Sequence, residues 1–386
     1  MRIRLHRTGL SAVLVVALLL PMVLHAAAQD VTAPLTEPAE TIPVTEPTAP
    51  PETIPVTEPP APPETIPVTE PPAPTEPEET IPPETEPADF TVDPQSAVYK
   101  VCDALAQNSQ ARQIFVYDTN TDKMLYSKSV ETGKLFPAST TKLFTTYVAL
   151  QHLDPNAIIT IGDELDLVHE GSSMAYVPRG GKLLARTLVE GMMLPSGNDA
   201  AMVLAAAAGR VIAQDETLAA ADAVQVFVDE MNRQADELGF EKSHFSNPDG
   251  WHSGSHYTCL NDLARISVLA LENETIRSYT QLHRDKTVSV SGHYITWENT
   301  NLLLNPESGY YRGDTVGLKT GYTRPAGYCL ISAFTFEEGE VIVGLFGYPQ
   351  KFDRYADAIR LANAAREQLR LDAQLQEDIK NNPGVG

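Results

Sequence analysis

Cysteine is nearly absent from this chain: there are three in 386 residues, at Cys102, Cys259 and Cys329. So small and odd a number argues against a disulfide framework, although one pair has room to bridge; the thiols read best as small buried hydrophobes. Basic residues are scarce too, 28 Lys and Arg against 51 Asp and Glu, for a net charge of -23. They form no cluster, and a nucleic-acid partner needs a basic face to neutralise phosphates, so that class is set aside. Long apolar runs are also lacking. The longest, Leu10–Leu24, covers 15 residues. A helix of that length spans ~22 Å, short of the ~30 Å of a bilayer core.

That short run has informative flanks. Arg2, Arg4 and Arg7 precede it and Ala26-Ala27-Ala28 follow it, the pattern of a secretory signal cut after small residues. Residues 1–28 are therefore expected to be a signal peptide and the protein to be exported, working outside the cytoplasm. A membrane tether would arise only if the signal stayed uncleaved. No cysteine lies near the cleavage site, so a lipid anchor has nothing to attach to.

Residues 29–90 have their own composition. Glu-Thr-Ile-Pro-Val-Thr-Glu-Pro begins at Glu40, Glu52 and Glu64, and residues 31–90 hold 19 of the 30 prolines, 13 acids and no Lys or Arg. Proline fixes φ and removes backbone donors, while spaced carboxylates repel, so neither core nor sheet is expected. An extended polyproline-II stalk follows, up to ~190 Å long if stiff throughout. Residues 91–386 are left as one catalytic-sized domain. There, Gln113–Ser127 reads as a hairpin, and a helix is expected from Ala138 or Ser139 to Leu150. Lys182–Met193 and the run after Asn198 also read as helices, Gly327–Phe336 and Val341–Gly347 as strands, and Phe352–Lys380 as a last helix. Strands at both ends of a helical middle predict an α+β fold whose sheet is assembled from distant pieces.

Three short patterns carry chemistry, and each type occurs once: Ser139-Thr140-Thr141-Lys142, Ser196-Gly197-Asn198 and Lys319-Thr320-Gly321. Residues i and i+3 share a helix face, which sets the Lys142 amine beside the Ser139 hydroxyl. A serine hydroxyl becomes a nucleophile when a neighbour takes its proton, and lysine does this if burial or nearby positive charge keeps it neutral; Lys319 is a candidate for that charge. Ser196 and Asn198 in a turn suit proton relay and amide orientation, or simply cap a helix. Lys319 and Thr320 suit a carboxylate, and Gly321 allows close backbone approach, although an ordinary turn would look the same.

In that order, the three motifs resemble the serine D-Ala-D-Ala carboxypeptidases, the low-molecular-mass penicillin-binding proteins of peptidase family S11. Phe136-Pro137-Ala138, His244 through Gly250, Asn299-Thr300-Asn301 and Gly317 through Thr323 extend the likeness over about residues 95–350. The resemblance implies a penicillin-binding/β-lactamase-like transpeptidase fold, an antiparallel sheet flanked by helices plus a mainly helical subdomain. It implies removal of the terminal D-alanine from peptidoglycan stem pentapeptides through a Ser139 acyl-enzyme, with no cofactor and with β-lactams as covalent inhibitors. Lys142 would be the base and Ser196 the proton relay to the leaving group. Asn198 would orient the acyl part, Lys319 and Thr320 would bind the terminal carboxylate beside Gly321, and the N–H groups of Ser139 and Tyr322 would form the oxyanion hole.

Two departures stand out. Thr300 occupies a place where some relatives carry arginine, leaving Arg324 as a nearby guess, and the chain ends soon after its last helix, so the second β-rich domain of many relatives is expected to be missing. Rival readings are weaker. Class A β-lactamases carry Ser-Asp-Asn and a deacylating glutamate, whereas residue 197 is glycine and Glu298 is only a superficial candidate. His244, His252 and His256, near Asp249 and Asp262, match no helix-face zinc spacing and are expected to stabilise a loop, so no metal site is assigned. A wall-binding module without activity would have no use for all three motifs.

Overall fold

The computed structural model describes residues 90–381. The expected signal peptide and stalk lie outside those residues up to position 89. Helix α1 (Ala97–Gln107) starts at Ser96, whose hydroxyl accepts from the Tyr99 amide, and leads into the hairpin β1 (Gln113–Asp118) and β2 (Lys123–Lys128). A 3₁₀ turn, Ala138–Thr140, then runs into α2 (Thr141–His152). The short strands β3 (Ile158–Thr160) and β4 (Lys182–Leu184) pair before α3 (Ala185–Met193), α4 (Asn198–Ala213) and α5 (Ala220–Glu237). After α6 (Leu260–Glu272) and α7 (Glu274–Thr280), the hairpin β5 (Arg284–Val288) and β6 (Tyr294–Glu298) precedes β7 (Thr315–Thr323), β8 (Gly327–Thr335), β9 (Glu340–Tyr348) and α8 (Asp353–Asn381).

The main sheet has the order β2-β1-β9-β8-β7, antiparallel throughout, so the N-terminal hairpin docks on strands more than 200 residues later. Both sheet faces are covered. On β1, Ile114 and Val116 enter a core with Cys102 of α1 and Tyr355, Leu361 and Ala365 of α8. Phe115 and Tyr117 alternate to the other face and join α2 through α7. The strand pleat thus divides one chain segment between two cores.

Two expectations need correction. Lys182–Leu184 is strand, not the start of the α3 helix, because Ile158 to Thr160 pairs with it in register. The segment carrying Ser139 is a 3₁₀ turn ahead of α2 rather than α-helix proper. No helix of the described residues is long and apolar enough to cross a membrane.

All three cysteines are free and buried. Burial pushes the thiols of Cys102 and Cys259 up to about 12 and that of Cys329 up to about 11. A thiol that is neither exposed nor ionised does not react. Native protein is therefore expected to leave a thiol reagent such as DTNB unconsumed at pH 8, and unfolding in guanidinium should release three equivalents. Rapid reaction of even one thiol in the native protein would contradict this packing.

Candidate active site

The turn at Ser139 is built against the edge of the sheet. Ala138 lies at φ 50, a conformation that costs an L-residue energy and persists only where the surroundings enforce it. Two glycines do so. A Cβ on Gly250, itself at φ 82, would fall 2.0 Å from the Ala138 carbonyl oxygen, and one on Gly321 would fall 3.0 Å from the Ser139 amide nitrogen. The missing Cβ of Gly321 therefore admits the backbone of Ser139 to strand β7.

Lys142 follows one turn later, and 3₁₀ geometry eclipses positions i and i+3. Its Nζ donates to Ser139 Oγ at 2.9 Å, to Asn198 Oδ1 at 2.8 Å and to the Asp249 carbonyl at 2.7 Å. The side chain is fully buried, and this burial pushes the ammonium down to about 8 against the opposing pull of Asp249 and Asp199. Lys319 is 1% exposed, and burial holds it well below the usual lysine range, with the Lys142 and Arg354 charges adding to the effect. The motif's lysine and threonine stand inside the edge strand β7, not ahead of it, and Thr320 Oγ1 meets Thr300 Oγ1 at 2.6 Å.

The third wall comes from the start of α4. Ser196, at φ 67, precedes it, and Asn198 opens it. The Asn198 amide nitrogen Nδ2 donates to Asp249 Oδ2 at 2.6 Å and to Ser172 Oγ at 3.1 Å. Asp199 accepts from the Ala175 and Val177 amides at 2.8 and 3.0 Å, pinning the loop that carries Ser172. The Asp249 loop is held in turn by α2: Thr145 donates to the Pro248 carbonyl at 2.6 Å.

Ser139, Ser196, Asn198, Thr320, Gly321 and Tyr322 all line one cleft of about 340 Å³. Lys142 is bonded directly to three of its lining residues, Ser139, Asn198 and Asp249, and Lys319 directly precedes Thr320 on the edge strand. The three motifs thus converge. Sequence reasoning missed Arg354, at the start of α8, which lines the same cleft. It is buried, and it donates to the Cys329 carbonyl at 2.9 Å, the Gly321 carbonyl at 3.4 Å and the Tyr355 hydroxyl at 3.0 Å. None of these acceptors is a carboxylate, and its Nε has no partner. Arg324, the earlier guess, is not among the lining residues. Nothing in the sequence around Arg354 marks it apart from other cations of an amphipathic helix. Asp249 was visible as part of a matching stretch and beside the histidines, and Trp251 was not singled out.

Of the three histidines weighed as metal ligands, two take separate hydrogen-bond partners, and the buried Nδ1 of His252 has none among the described residues. His256 bonds Thr141 at 2.8 Å, and its burial pushes it down to about 3, while His244 bonds the Ser255 carbonyl at 2.6 Å. Asp262 accepts from the Glu241 and Lys242 amides.

A buried amine on a serine hydroxyl, beside a second buried lysine on a sheet edge, is the arrangement that lysine-activated serine acyl transfer requires. The chain belongs to the D-alanyl-D-alanine carboxypeptidase family, peptidase family S11, whose model matches residues 100–349. It is 34% identical over 239 residues to the D-alanyl-D-alanine carboxypeptidase of Streptomyces sp. strain K15, covering 60% of this chain and 78% of the relative. To the DacF carboxypeptidase of Bacillus subtilis it is 27% identical over 67% of this chain, spanning 63% of that relative's length. The crystal structure of the Streptomyces K15 DD-transpeptidase superposes with a TM-score of 0.59 at 31% identity, covering 66% of this chain and 96% of that one. The α+β penicillin-binding fold implied by the motifs is the fold found.

Asn198 joins Lys142, Asp249 and Ser172 through one side chain. Asn198→Ala would leave buried polar groups unpaired and is expected to cost about 1–3 kcal/mol, read as a fall of several degrees in Tm. An unchanged Tm would contradict this network.

Proposed function

We propose that the enzyme is an exported serine carboxypeptidase whose Ser139 forms an acyl-enzyme with D-Ala-D-Ala-terminated peptidoglycan stem peptides. The observation that carries this reading is the 2.9 Å contact between Lys142 Nζ and Ser139 Oγ, made by an amine that burial has brought down to about 8. Neutral Lys142 takes the hydroxyl proton as Oγ bonds to the carbonyl carbon between the two D-alanines. The developing oxyanion lies against the N–H groups of Ser139 and Tyr322, donors aimed where charge appears. Ser196 passes a proton to the departing nitrogen as the C–N bond breaks. Water then attacks the ester and frees the serine.

Asn198 holds the acyl amide. Lys319 and Thr320 receive the terminal carboxylate, with Arg354 adding a positive charge that no carboxylate among the described residues neutralises. A carboxylate arriving there would oppose the effect of burial on Lys319, since an opposite charge favours the charged form. Lys351 and Arg354 line the cleft, so an anionic substrate meets positive charge there. β-Lactams would acylate the same serine and stay. Among the described residues the only acid lining the cleft is Asp249, occupied by Asn198 and the Trp251 amide. Glu298 is exposed on β6 near Arg284 and does not line the cleft. This supports slow loss of the acyl group from a β-lactam adduct rather than lactamase turnover.

Fluorescent penicillin is expected to label the wild-type protein stably, and Ser139→Ala and Lys142→Ala should each abolish labelling and D-alanine release. Rapid hydrolysis of nitrocefin would overturn the assignment. The pH dependence has a definite sign. Below about 8 the amine is charged and unable to take a proton, so the acylation rate should rise roughly tenfold per pH unit from 6 to 7 and flatten near 8. A rate independent of pH over that range would remove Lys142 as the base.

A further inference from the structure

A second cavity of about 370 Å³ opens at one end of the sheet, and the proposed reaction makes no use of it. Its walls are mostly apolar: Val130, Phe136, Tyr257 and Pro325. Its charges are of one sign. Arg112 and Lys134 line it and no Asp or Glu does; Glu131, on the same loop, is not among the lining residues. Lys134 Nζ stands 3.7 Å from the centroid of the Tyr257 ring, and no ion pair engages it or Arg112 among the described residues. The stem of Arg112 is packed against Gly347, where a Cβ would approach its side-chain carbons to 2.8 Å. That contact holds the stem of Arg112 beside the cavity.

We propose that this cavity is a second ligand site, taking a small amphiphilic anion: a carboxylate or similar group attached to an apolar or aromatic body. The chemistry follows from the two halves of the lining. Exposed cations alone hold a bare anion poorly at physiological ionic strength, because water and salt screen them. An apolar wall alone would not select for charge. A ligand that places its ring against Phe136 and Tyr257 and its anion between Arg112 and Lys134 satisfies both at once. A cavity of this size is within the range that encloses such a molecule. Phe136 lies three residues before Ser139, so the site shares a wall with the catalytic turn.

The test is a ¹⁵N–¹H NMR titration of the full chain with phenylacetate, phenylacetamide and inorganic phosphate. Phenylacetate is expected to shift the amides of Gly254, Ala326 and Gly347 and to bind at least tenfold more tightly than either of the other two. Arg112→Gln combined with Lys134→Gln should weaken it at least tenfold, while penicillin labelling of Ser139 continues and reports that the variant is folded. The idea fails if phenylacetamide or phosphate binds as tightly, if the double variant binds normally, or if the shifts fall only on the cleft amides of Gly171, Ser172 and Gly321. These outcomes do not depend on D-alanine release, so they stand apart from the fate of the catalytic reading.

Discussion

A lysine ammonium with no exposed surface governs the architecture of this site. Burying a charge without a paired carboxylate is costly, and a lysine relieves that cost by becoming easier to deprotonate. Three acceptors, from Ser139, Asn198 and the Asp249 backbone, keep the amine fixed while its proton affinity falls. Each acceptor arrives from a different part of the fold: the turn before α2, the head of α4 and the loop after α5. Displacing any one would let the amine turn away from the serine or admit water. Water would restore the ordinary proton affinity and with it the inert, charged lysine.

The supporting structure follows from the same demand. Asp199 does not touch the lysine amine in any hydrogen bond; it ties down the loop bearing Ser172, which in turn holds Asn198. Thr145 secures the backbone that offers the Asp249 carbonyl. Gly250 and Gly321 let the strained Ala138 turn lie against the sheet edge. Strain of this kind lasts where packing over-determines it, and here both flanks of the turn are fixed by glycine contacts.

Much of this was legible in the sequence because the chemistry is local. Ser139 and Lys142 are three residues apart, and that spacing alone places amine by hydroxyl. The convergence of the Ser196 and Lys319 segments was readable only as a family pattern, since nothing local says that α4 and β7 meet. Arg354 escaped for the opposite reason: it reaches the cleft without a carboxylate partner among the described residues, which no linear pattern records. Lys182–Leu184 was misread as helix because three residues are too few for alternation to reveal a strand; their pairing with β3 decides it. Gly321 was recognised as a place of close approach, but its neighbour is the Ser139 backbone.

The account rests on the proton affinity of one amine, which is open to direct observation. With ¹³C placed at Cε of lysine and Lys142→Arg used to assign the signal, its titration in the unliganded protein should have a midpoint near 8. A midpoint above 10, the value of a solvated lysine, would mean that the fold does not prepare this amine as a base.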